Sequence, residues 1–168
     1  MLENISAAIE LLRDEGLNRE AANSVIGRLI FTRYLIDRGV ELDPKIIKKN
    51  AERESFLELI LTPQKLYSFF TYLQDEFNGH LFPVTKEEKN KFNTKHSKIL
   101  YNLFSGDDLK TGQTSLFNLY DFNIIPIELI SNIYERFIGK RRTRLFSIIL
   151  YTVFLSRLYF KRYRQKSS

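Results

Sequence analysis

A chain of 168 residues that is 43% hydrophobic and 14% aromatic is long enough for one sizeable core, which excludes disorder for the chain as a whole. The absence of cysteine excludes disulfides, thiolate catalysis and zinc-ribbon sites, and fits a reducing cytoplasm. The formal charge of +6 is local: nine of the Lys and Arg residues and none of the acids lie in 140–168, leaving seventeen bases against twenty acids in 1–139, so the basic balance is no argument for phosphate binding by the body of the chain.

In chain order the signals are helical. The opening "MLENISAAIELLRDEG" lacks a basic stretch followed by an apolar run, so no signal peptide is expected. Within it Ala8, Ile9, Leu11 and Leu12 predict one apolar side of a helix with Ser6 as N-cap and Gly16 as stop. "LNREAANSVIGRLIFTRYLIDRGV" predicts an amphipathic core helix of about five turns, capped by Asn18 and closed by Gly39, with Ala22, Val25, Ile26, Leu29, Ile30, Leu35 and Ile36 inward. Gly27 in its middle costs about 1 kcal/mol against alanine, which predicts a second helix crossing closely there. Arg33 and Asp37, four apart, are expected to pair on its polar side.

"DPKIIKKNAERESFLELIL" reads as one or two helices started by Asp43 and Pro44, and "TPQKLYSFFTYLQDEFN" repeats the device with Thr62 and Pro63. The second lines up Leu66, Phe69, Phe70, Leu73 and Phe77. "GHLFPVTKEEKNKF" reads as a loop with an apolar plug, Leu81 and Phe82, and "NTKHSKILYNLFSG" as a short helix ending at Gly106. A short extended segment is expected near 116–122. "PIELISNIYERFIG" closes the series as a helix begun by Pro126, with Ile130, Ile133, Tyr134 and Phe137 as its stripe. The expected fold class is therefore mostly α, a single helical domain of about five to seven helices over 1–139, followed by a basic apolar tail over 140–168.

Catalytic signatures are not found. No G-x-G-x-x-G, Walker A, H-E-x-x-H or G-x-S-x-G occurs, and His80 and His96 show no metal-type spacing. Asp107 and Asp108 could bind a cation or activate water, although adjacent acids beside a glycine are ordinarily solvated turn residues. Lys91, Lys95 and Lys98 fall on one helical face, with Lys86 and Lys89 before them. That face could meet phosphates; the competing reading is a solvated face partly neutralised by Glu87 and Glu88.

Three ordered blocks carry a resemblance. "NREAANSVIGRLIFTRYLIDRGV" resembles the helical segment that recurs in large bacterial restriction-modification proteins of the type IIG class and related N6-adenine DNA methyltransferases. "FNGHLFP" is similar to their downstream loop, and "LYDFNIIPIELISNIYERFIG" to the stretch that precedes their methyltransferase domain. The blocks span residues 18 to 139. The resemblance implies the helical connector between nuclease and methyltransferase, located in the cytoplasm, with DNA as the partner of the full-length protein. S-adenosylmethionine and a divalent metal are the cofactors of that full-length family. The "YYTP" segment, the cofactor loop, the N-P-P-Y motif and the nuclease carboxylates are missing from this sequence, so no cofactor and no enzymatic activity is expected of this chain. A connector also implies that some of Phe69, Phe70, Phe82 and Tyr134 are left uncovered.

The tail admits several readings. The apolar run from Leu145 to Leu155 is followed by Arg157, whereas spanning a bilayer takes about 20 apolar residues, so a membrane span is not expected. A basic-apolar helix at an anionic membrane surface, or a DNA-binding tail, defines the alternative function: a freestanding helical adaptor. A third reading is genetic. One permitted set of codons for Ile149 to Val153, ATA TTA TAC ACC GTT, encodes YYTP when read one position later, which raises a shift of reading frame after Gly139 as a hypothesis. Sequencing the gene across codons 136 to 168 is expected to reveal a methyltransferase start in the second frame; a second frame without one rules the shift out.

Overall fold

A computed structural model describes residues 2–77, 83–106, 109 and 126–138. Among them stand seven helices and no strand: α1 (Leu2–Asp14), α2 (Arg19–Asp37), α3 (Glu52–Leu61), α4 (Pro63–Glu76), α5 (Lys86–Lys91), α6 (Thr94–Ser105) and α7 (Ile127–Ile138). The mostly helical expectation holds. The expected extended segment near 116–122, the Leu81–Phe82 plug, His80, Asp107, Asp108 and the tail over 140–168 lie outside the described residues.

Helix α1 begins at Leu2, so Ser6 is an exposed helical residue and not the N-cap expected of it. Its buried face is Ile5, Ala8, Ile9 and Leu12, the spacing of a 3.6-residue period. Leu11 sits on the flank of that face and is 37% exposed, contrary to its inward assignment. The helix stops as expected at Gly16, whose φ of 104° lies in the left-handed region that favours glycine. There Gly16 N–H donates to Arg13 O at 2.9 Å and Leu17 N–H to Leu12 O at 3.1 Å, the two bonds of a Schellman motif, with both leucines buried.

Helix α2 is the axis of the fold. Asn18 caps it as the sequence suggests, its side chain accepting from Ala21 N–H at 2.8 Å. A second Schellman motif closes it at Gly39, with Val40 N–H donating to Leu35 O at 2.8 Å. The expected amphipathic pattern gives way to burial on every side: Ser24 to Ile36 are buried without a break, Gly27 among them. A helix buried all round must pair its polar residues. Thr32 does so by donating its hydroxyl to Arg28 O at 2.8 Å. Arg33 pairs with Asp37, as the spacing implies, through Nε to Oδ2 and Nη2 to Oδ1, each at 2.9 Å. The pair does not lie on a solvated polar side, since the two side chains are 9% and 10% exposed.

The remaining helices wrap this axis. Asp43 and Pro44 begin only a single turn, in which Lys45 N–H donates to Asp43 Oδ1 at 2.9 Å and Ile47 N–H to Asp43 O at 2.8 Å; helix α3 starts later, at Glu52. Thr62 and Pro63 do open α4, which buries Leu66, Phe69, Phe70 and Leu73. Of the four aromatics some of which a connector implies to be uncovered, Phe69 and Phe70 are buried in the domain's own core, and Phe82 and the Tyr134 side chain lie outside the described residues. Residues 86–91, expected in a loop, form α5. Helix α6 runs along α3 and α1, with Phe104 set edge-to-face on Phe56 at 5.3 Å, and ends at Gly106, where φ is 94°. Leu109 N–H then reaches back to Asn4 Oδ1 at 3.1 Å. Helix α7 begins after Pro126 and lies against α2 with Ile130 and Ile133 buried.

Candidate functional site

The segment that carries the candidate lysines is built around an acid. Thr85 and Glu88 have the spacing of a capping box, in which the hydroxyl accepts the third helical N–H and the glutamate returns to the cap. Only the first half forms: Thr85 Oγ1 accepts from Glu88 N–H at 3.1 Å. The Glu88 side chain turns inward and pairs with Arg28 of α2. Both side chains are 1% exposed.

Four further groups complete this buried network. The Tyr67 hydroxyl from α4 donates to Glu88 Oε1 at 2.8 Å. Arg28 Nη1 donates to the Pro83 carbonyl at 3.3 Å, and the guanidinium lies 4.4 Å from the centroid of Phe70. Phe92, immediately after α5, closes the site by stacking edge-on against Tyr67 at 5.3 Å. Burial pushes the Tyr67 phenol far above its ordinary pKa, and the Glu88 charge pushes the same way, so the hydroxyl stays protonated and able to donate. Burial likewise raises the Glu88 carboxyl, while the Arg28 charge and the hydrogen bonds from Tyr67 and Arg28 oppose that rise. Arginine does not deprotonate in proteins, so a buried Arg28 requires an anion, and Glu88 is the one supplied.

With Glu88 turned inward, the lysines face out. Lys86, Lys89 and Lys91 are exposed on α5, and Lys95 and Lys98 are exposed on α6. They do not share one helical face, because Phe92 and Asn93 break the chain between the two helices. Glu87 holds Lys91 Nζ at 2.8 Å, and Glu15 holds Lys95 Nζ at 3.0 Å. Lys86, Lys89 and Lys98 make no ion pair among the described residues. The expected neutralisation by Glu88 fails because that carboxylate serves Arg28 instead.

Arg28, Tyr67 and the helical state of 86–91 are not among the features expected from the sequence. Two signals were present: an arginine among the apolar residues of α2, and the Thr85-x-x-Glu88 spacing. Elsewhere, an open groove of about 270 Å³ is lined by Ser6, Ile9, Glu10, Arg19, Asn23 and Arg136, with Glu10 bridged to Arg13 at 2.8 Å and Arg19 at 3.3 Å. Among the described residues no group of three or more His, Asp or Glu is placed to hold a metal, and no helix is long and apolar enough to cross a membrane. No protein-family model matches the sequence, and no curated protein or solved structure is found to be similar to it.

The hydroxyl of Tyr67 adds one charge-assisted bond to a buried acceptor. Tyr67→Phe is expected to lower unfolding free energy by about 1.5–3 kcal/mol in urea titrations at neutral pH, with helix content retained.

Proposed function

We propose that this chain is the helical connector of a bacterial DNA restriction-modification protein of the adenine-methylating kind, without a catalytic centre of its own, and that its exposed lysines contact the DNA backbone. What carries the reading is the order of the three blocks in residues 18–139, each resembling the corresponding connector segment of that family. The anchored α5–α6 segment supports the contact: Lys86, Lys89 and Lys98 project from a base fixed by Glu88, with no carboxylate paired to them among the described residues. Such contacts position a protein on DNA and carry no sequence information. S-adenosylmethionine and divalent metal would belong to the methyltransferase and nuclease domains that this sequence lacks, and the setting is cytoplasmic.

Binding of duplex DNA, followed by fluorescence anisotropy over a salt series, tests the proposal. The triple variant Lys86→Ala, Lys89→Ala, Lys98→Ala is expected to weaken binding and reduce the slope of log K against log salt by up to about 3, near 0.9 for each phosphate that is no longer neutralised. Removal of residues 140–168 should leave a measurable lysine-dependent component. Binding that disappears entirely with the tail would instead support the adaptor that works through its basic C-terminus. Methyl transfer from S-adenosylmethionine to DNA should be absent, and any turnover by the purified chain contradicts the assignment.

A further inference from the structure

His96 is fully buried at the start of α6, yet the network around Glu88 does not use it. Its Nδ1 accepts the Asn93 N–H at 3.0 Å, closing a capping box whose other half is formed by the Asn93 side chain. Because Nδ1 accepts, the ring proton resides on Nε2, which donates to the Glu15 carbonyl at 3.1 Å. That carbonyl belongs to the residue just after α1, one of the acceptors an α-helix leaves unpaired at its C-terminus. One neutral imidazole thus joins the first turn of α6 to the corner between α1 and α2. Phe92 covers the ring in a stacked arrangement at 5.4 Å.

We propose that His96 is a pH-sensitive latch, whose protonation releases the N-terminal cap of α6 from the α1–α2 corner. A second proton can enter only at Nδ1, where it would point at the Asn93 N–H and replace an acceptor by a donor. The capping bond is then broken, and a charge is left in a buried site. The charges facing the ring are the Glu15 carboxylate from the corner and the Lys95 ammonium from α6; they pair with each other at 3.0 Å, so neither is free to compensate a histidine cation. Burial holds the imidazole below its ordinary pKa of 6.5, against the opposing pull of the Glu15 carbonyl and carboxylate.

The direction of the pH response follows from that depression. The released ring takes up a proton first, so the latch is fully closed above the ordinary histidine value and weakens as pH falls from 6.5 toward the lower folded-state pKa. Release loosens the helix end that carries Lys95 and Lys98.

Residue-resolved NMR on the intact chain tests the proposal. Nitrogen-15 spectra should show His96 as the Nε2–H tautomer at neutral pH, titrating below 6.5. Hydrogen exchange of the Asn93 and Ser97 amides, corrected for intrinsic rates, should lose protection by up to about tenfold for each pH unit below that value, while α2 amides hold constant. His96→Gln should abolish this local pH dependence. The latch is overturned if His96 titrates at or above 6.5 in the folded chain. It is equally overturned if Asn93 and Ser97 keep their protection down to the measured pKa, or lose it only in parallel with α2. The measurements on the unsubstituted chain decide the matter even where His96→Gln does not fold.

Discussion

The buried ion pair between Arg28 and Glu88 is the constraint around which this domain is arranged. Helix α5, "KEEKNK", contains no apolar residue, and its one buried side chain is Glu88. Hydrophobic burial therefore cannot dock it, apart from the contribution of Phe92 just beyond its end. Arg28 in turn sits at the centre of a helix buried on every side, where an unpaired cation would cost several kcal/mol in lost solvation. Each charge makes the other tolerable. Tyr67, the Pro83 carbonyl and the face of Phe70 complete the arrangement and bring α2, α4 and α5 to one point. A buried pair of this kind adds less net stability than an apolar contact of the same volume, but it admits few alternatives: α5 can dock only where Glu88 meets Arg28.

This anchoring decides what the surface offers. A glutamate that faced solvent would neutralise part of the lysine segment, as Glu87 does for Lys91. Turned inward, it leaves the outer side of α5 and α6 mostly basic while fixing its position from within. His96 supplies a second fixed point by tying α6 to the corner that Gly16 and Asn18 create between α1 and α2. The lysine-bearing segment is thus held at both ends by polar side chains whose partners lie about sixty and eighty residues away in sequence.

That separation explains what could be seen in the sequence and what could not. The helices α2, α4 and α6 were legible because their apolar residues recur at three and four and because Asn18, Pro63, Gly39 and Gly106 mark their ends. Helix α5 was not, since it has no apolar period to detect and its only sign was the Thr85-x-x-Glu88 spacing. The start at Asp43 and Pro44 misled because a capping residue and a proline also suit an isolated turn. The Arg33–Asp37 pair was legible from its spacing, but its burial was not, because spacing says nothing about what covers a helix from outside. For the candidate site, the five lysines were visible as residues; the inward turn of Glu88, which removes one carboxylate from beside them, depends on Arg28 and Tyr67 and was not.

That Arg28 and Glu88 act as one unit can be measured by a double-mutant cycle with Arg28→Met and Glu88→Leu, followed by urea unfolding at neutral pH. Each single replacement is expected to leave an unmatched buried charge and to cost about 3–5 kcal/mol, and the double variant to be more stable than either single one. Single effects below about 1 kcal/mol, or a double variant whose loss equals the sum of the two, would contradict it.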